Sequence, residues 1–149
     1  MKALVDTNPL VSALLKPDGP SGQIFQRWRA GEFELAVSPS TLAELRDVLQ
    51  RPHIAHKYRL SASDIEQHLN VLRNFAEIAP GRLDLDVISA DPQDNHVLAA
   101  AIETHCTFIV SGDHHLLDLG EYQRVRTLTP RDFLTLLETD PTREGGSEA

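Results

Sequence analysis

Apolar residues along this chain fall into two rhythms. Ala3-Leu4-Val5, Leu35-Ala36-Val37 and Phe108-Ile109-Val110 are short unbroken runs closed by polar residues. Such runs predict strands buried on both faces, as in a parallel sheet. The second candidate strand spans Glu34 to Ser38, the most clearly buried one Thr107 to Val110, and a weak strand is read around Val125 to Leu128. Leu83 to Ile88 alternates apolar and acidic residues, which predicts a strand with one solvated face.

Between these runs the apolar spacing lengthens to three and four, the helical period. Leu10 to Leu15 reads as a short helix stopped by Pro17-Asp18-Gly19-Pro20. Ser21 is a cap candidate for a second helix with Ile24, Phe25 and Trp28 on one face and Gly31 as its stop. Ser38-Pro39 opens a helix carrying Leu42, Leu45, Val48 and Leu49, and a loop from Arg51 to Arg59 follows it. Ser61 and Asp64 open the next helix, with Ile65, Leu69, Leu72, Phe75 and Ala76 in step. Asp91-Pro92-Gln93-Asp94 begins an alanine-rich helix reaching about Thr104, and a short helix spans Leu116 to Leu119. Thr129-Pro130 starts the last helix, with Phe133, Leu136 and Leu137. Strands alternating with helices, without repeats or a linker, predict one α/β domain on a mostly parallel sheet over residues 1–138. Residues 139–149 are polar and Gly-rich, which predicts a flexible tail.

Charge changes the picture first by exclusion. The 149 residues carry a net charge of −8, which speaks against the broad basic face of a simple nucleic-acid binder and against anionic lipid. A single cysteine, Cys106, excludes a disulfide framework and reads as a core residue. No apolar stretch is long enough to span a bilayer, and no signal peptide is read, so a cytoplasmic protein is expected.

The placement of the acids is more informative than their number. In an open α/β sheet, ligands bind beyond the carboxyl ends of the strands. Asp6 and Asp113 follow two of the runs, Glu44 lies early in the helix after another, and Asp91 and Asp94 open a helix. If the strands are parallel, these acids share one edge. Taken singly, each is equally an ordinary turn, capping or solvated acid. Together they would raise one another's pKa, a penalty that a divalent cation removes. Mg²⁺ and Mn²⁺ prefer oxygen ligands and can activate water and orient a phosphodiester, which is nuclease chemistry. A haloacid-type phosphatase fits poorly because Asn8 stands where its second Asp belongs, and a receiver domain lacks its late lysine.

Val5-Asp6-Thr7-Asn8, Leu42-Ala43-Glu44-Leu45, Asp91-Pro92-Gln93-Asp94-Asn95 and Val110-Ser111-Gly112-Asp113 resemble, in this order, the motifs of the PIN domain. More narrowly they are similar to the VapC-like ribonuclease toxins of toxin–antitoxin modules. The resemblance covers residues 1 to about 138 and implies a three-layer α/β/α sandwich and a Mg²⁺- or Mn²⁺-dependent endoribonuclease. It carries Asp6, Asp94 and Asp113 over as metal ligands, and Glu44 as the acid that positions or deprotonates water. Asn8, Asp91 and Ser111 become supporting residues. Two positions depart from the pattern: Pro9 replaces an aliphatic residue after Asp6, and Gln93 stands where an acid is common. The resemblance also implies an RNA substrate, a small antitoxin partner and a homodimer. Its alternative is a catalytically silent PIN-like scaffold binding RNA or protein.

The one dense basic stretch contains Arg51, Lys57 and Arg59, with Tyr58 available to stack, and reads either as an RNA contact or as a solvated loop. His114 and His115 lie at the mouth of the expected site or on plain surface, and no histidine pair makes a zinc site without cysteines. A protein that captures RNA through metal and one basic loop should bind it with modest salt dependence.

Overall fold

The computed structural model describes residues 1–88 and 92–139. Asp91 and the tail from residue 140 lie outside them. The strands are β1 (Lys2–Val5), β2 (Glu34–Val37), β3 (Glu77–Ile78), β4 (Phe108–Val110), β5 (Glu121–Tyr122) and β6 (Val125–Leu128). Among the described residues they form one sheet in the order β3-β2-β1-β4-β6-β5, parallel throughout except for the antiparallel β5–β6 pair. The helices are α1 (Thr7–Leu15), α2 (Pro20–Arg29), α3 (Pro39–Gln50), α4 (Pro52–Lys57), α5 (Ala62–Phe75), α6 (Pro92–Glu103), α7 (His114–Leu119) and α8 (Pro130–Thr139).

The unbroken runs are explained by what covers them. Ala3, Val5, Leu35, Val37 and Val110 pack on one face against Leu10, Ile24, Trp28, Leu45, Leu69 and Phe133. Leu4, Ala36 and Ile109 point the opposite way, against Val97, Leu98, Ala101 and Leu116. Each fully buried leucine is worth about 1.5–3 kcal/mol of transfer free energy, so both faces contribute to stability. This is the expected mostly parallel sheet flanked by helices, an α/β/α sandwich.

Local chemistry sets the helix starts. Ser38 accepts from Thr41 N–H with Pro39 in the first turn of α3, and Ser61 and Asp64 form a reciprocal capping box on α5. Asp6 caps α1, so that helix begins at Thr7, earlier than apolar spacing predicts. Pro9 then falls in the first turn, where no backbone N–H is needed, and is accommodated. Likewise α2 begins at Pro20 behind Gly19, and Ser21 is buried inside it rather than capping it. Gly22 is required there, because a Cβ would stand 2.1 Å from the Pro17 carbonyl oxygen.

Two expectations are corrected, and one element is added. Leu83 to Ile88 is not a strand, and the sheet's edge strand is Glu77–Ile78. The alternation is real, with Asp84 and Asp86 exposed, Leu85 half-buried and Ile88 buried, but the segment's amide groups bond to side chains of α6 instead of to a neighbouring strand. The stretch from Arg51 to Arg59 is not a loop throughout, since Pro52 at the first position starts α4. Finally, β5 is absent from the sequence reading. Its hairpin turns on Gln123 and Arg124, at φ 48° and 68°, a conformation usually signalled by Asn or Gly.

Candidate active site

Parallel strands deliver their carboxyl ends to one edge, and the acids there are locked by a short chain of hydrogen bonds. Asp6 N–H donates to the Val110 carbonyl at 3.0 Å, joining the ends of β1 and β4. The Ser111 hydroxyl donates to Asp6 Oδ2 at 2.8 Å and accepts from Asp113 N–H at 3.0 Å. Ser111 is fully buried, so this link is shielded from competing water. Asp6 and Asp113 also cap helices, Asp6 Oδ1 accepting from Thr7 N–H and Asp113 Oδ1 from His115 N–H, each at 2.8 Å. The ordinary capping role and membership of the edge cluster therefore coexist in the same side chains.

Glu44 reaches the edge from α3, its Oε2 accepting from Thr7 Oγ1 at 3.3 Å. Thr7 is 2% exposed and stands between the Asp6 cap and Glu44. Asp94 lies in the first turn of α6, 4% exposed, with its Oδ2 fully buried. Beside it, Gln93 Nε2 donates to Ser40 Oγ at 3.1 Å, tying the start of α6 to the start of α3. Asn8 follows Thr7 on the exposed side of the first turn of α1.

The structure thus links Asp6, Ser111 and Asp113 directly, and Glu44 through Thr7. Among the described residues, no group of three or more His, Cys, Asp or Glu side chains stands close enough together to hold a metal ion. The donor chemistry nonetheless fits a hard divalent cation, since every acid offered is an oxygen ligand and Cys106 is far from thiolate character. Burial is the main force that pushes its thiol up to about 11.

Two further expectations concern residues outside this chain of hydrogen bonds, and Arg51 to Arg59 follow the far end of α3 rather than its start. Arg51 pairs with Asp47 at 3.2 Å, Lys57 lies 5.4 Å from the centre of the Tyr58 ring, and Arg59 closes α4 at φ 53°. The His114 and His115 rings lie 4.0 Å apart at a tilt of 41°, with His114 exposed directly after Asp113.

Sequence reasoning missed Thr7, Ser40 and Asn95. Asn95 is 5% exposed, and its side chain accepts from Val87 N–H and Ile88 N–H while donating to the Ile88 carbonyl, at 2.9, 2.8 and 2.7 Å. Its signal was an amide inside an apolar helix next to Asp94, a position where a buried polar group must find partners.

Comparison with known proteins agrees with this architecture. The sequence profile of the PIN domain matches residues 2–115. The uncharacterized protein MJ1680 of Methanocaldococcus jannaschii is 26% identical over 146 residues, covering 93% of this chain and 92% of the relative. In fold the chain is similar to the crystal structure of VapBC2 from Rickettsia felis bound to a DNA fragment from their promoter. That likeness has a TM-score of 0.58 at 14% identity, over 87% of this chain and 98% of the other. On the profile match, the chain belongs to the PIN domain family.

Proposed function

We propose that this protein is a Mg²⁺- or Mn²⁺-dependent endoribonuclease and the toxin of a toxin–antitoxin pair. PIN domains are generally nucleases and generally use divalent metal ions. The observation that carries the reading is the buried Ser111 hydroxyl, which holds Asp6 and Asp113 together at the carboxyl ends of adjacent parallel strands. In this reading Asp6, Asp94 and Asp113 hold the metal, with Asn8 and Asp91 supporting them. Bound Mg²⁺ or Mn²⁺ supplies charge to neutralise the phosphodiester and acidify water. Glu44, oriented by Thr7, takes a proton from the water that attacks phosphorus as the bond to the leaving sugar oxygen breaks. Ser111 keeps Asp6 in one rotamer throughout.

Likeness to a VapBC2 structure supports a small antitoxin partner and, with it, a cytoplasmic setting. A homodimer and RNA contacts from Arg51, Lys57 and Arg59 complete the proposal. Among the described residues no helix is long and apolar enough to cross a membrane.

Purified protein is expected to cut single-stranded RNA with Mn²⁺ or Mg²⁺ and to stop with EDTA. Asp6→Asn should lower the cleavage rate by roughly a hundredfold or more, as loss of a group acting directly on the reacting centre does. Undiminished cleavage by that variant overturns the assignment. A second reading, a silent scaffold binding RNA or protein, is favoured by the absence of a closed three-ligand group among the described residues. Metal titration by calorimetry separates the two, because the scaffold shows no saturable site that Asp6→Asn removes.

A further inference from the structure

A cavity of about 420 Å³ opens beside the acidic edge, between the start of α3, the irregular segment 79–88 and the flank of α6. That volume falls within the roughly 300–1,000 Å³ of small-ligand sites. Its walls are apolar and short: Pro39, Pro80, Leu83, Ala99 and Ala100. Its rim is polar, with Ser40, Arg82, Asp84 and His96. Ser40 is also the residue that accepts from Gln93, so the rim meets the start of α6 next to Asp94.

The outer wall is built rather than incidental. Glu103 accepts from Gly81, Arg82 and Leu83 N–H at 3.1, 2.8 and 3.0 Å, and Asn95 holds Val87 and Ile88 at the other end. Desolvation pushes the Glu103 carboxyl up, but the three donors and the Arg82 charge outweigh it and hold its pKa below the ordinary value. Gly81 turns at φ 73°, and a Cβ added there would meet the Pro39 ring at 3.5 Å.

We propose that this cavity is a subsite for one nucleotide of the RNA strand, seating the base next to the bond that is cut. The inference rests on the nuclease reading and deepens it by naming where sequence preference is set. The apolar lining of Pro39, Pro80, Leu83, Ala99 and Ala100 suits the faces of a heteroaromatic ring, and Ser40, Arg82, Asp84 and His96 offer donors and acceptors to its edges. RNA is favoured over a protein segment because Ser40, at one end of the cavity, lies one turn from Glu44 on α3 and bonds Gln93, the neighbour of Asp94.

The test uses the full chain in EDTA, titrated with AMP, GMP, CMP and UMP and followed by amide NMR. At least one nucleotide should shift Gly81, Arg82, Leu83 and His96 saturably. Ala99→Phe, which fills the cavity, should weaken that binding about tenfold or more, a typical cost of losing a shaped pocket. Should Ala99→Phe fail to fold, His96→Ala on the exposed rim takes its place, with binding weakened about threefold or more, the order of one exposed polar contact. Shifts confined to Arg51 to Arg59, no shifts, or wild-type affinity in the folded variant overturn the subsite. Because binding is read without cleavage, an active enzyme with an unperturbed cavity refutes the subsite alone. A metal-independent, inactive protein that binds nucleotide there refutes the nuclease reading alone.

Discussion

The two faces of the sheet are covered by different means. On one, α1, α2, α3, α5 and α8 pack a leucine-rich core, with Phe33 against Phe133 and Phe25 against Trp28, each pair 5.2 Å apart. These helices satisfy most of their own backbone groups, so apolar packing dominates the layer, with a few polar ties such as Arg27–Glu138 between α2 and α8. On the other, α6 presents Ala99, Ala100 and Ala101, and the segment beside it has no regular structure. Its amide groups depend on two side chains of α6, Asn95 and Glu103. Both layers bury a core, but only the second also shapes the surface next to Asp94 through side-chain bonds to an irregular segment.

The largest effect should come from the packed layer. Leu69→Ala removes a side chain that is 0% exposed and should cost about 2–5 kcal/mol in urea unfolding, spread over the whole domain. Asn95→Ala comes next. It strips partners from Val87 N–H, Ile88 N–H and the Ile88 carbonyl, for about 1–3 kcal/mol, with hydrogen exchange rising first at Val87 and Ile88. Equal acceleration in α2 and α5 would show the two layers to be one cooperative unit and end the comparison. Glu103→Ala should cost less, about 1 kcal/mol or below, because Gly81, Arg82 and Leu83 are exposed and water replaces the carboxylate. Its signature is faster exchange at those three amides with the melting temperature nearly intact.

The same contrast explains what the sequence disclosed. The packed layer announces itself through period: Ile65, Leu69 and Leu72 mark α5, and Ser61 with Asp64 marks its start. The central runs disclose β1, β2 and β4 because only burial on both faces tolerates them. Asp6 and Asp113 are legible because a polar residue must follow such a run. Asn95 and Glu103 are not legible in their roles, since a side chain that bonds a distant backbone leaves no period. Nor is the failure of Leu83 to Ile88 to pair, because alternation reports which side chains are buried and says nothing of where the amides bond. Thr7 escaped for a related reason, its partner Glu44 lying 37 residues away.

One polar contact inside the packed layer gives the finest test. His68 on α5 is 7% exposed, lies 5.0 Å from the Phe25 ring, and has Nε2 3.0 Å from the Leu10 carbonyl oxygen. A carbonyl only accepts, so the neutral ring carries its proton on Nε2. Burial lowers the imidazole pKa, and the bond to Leu10 only partly opposes this. The unfolded chain, with the ordinary value of 6.5, therefore takes up a proton that the folded chain refuses. Stability is full above that pH and declines as pH falls from 6.5 toward the lower folded value, with a slope of at most about 1.4 kcal/mol per pH unit. Asp64, held below the ordinary carboxylate range by its bonds to Ser61, releases its share only in more acid solution. His68→Gln keeps a donor for Leu10 but cannot titrate. Urea midpoints between pH 7.5 and 5.5 should fall for the wild type, and stay flatter for the variant. The proton-linked part of the difference vanishes well above pH 6.5, and parallel slopes would show that α5 is indifferent to charge at this position.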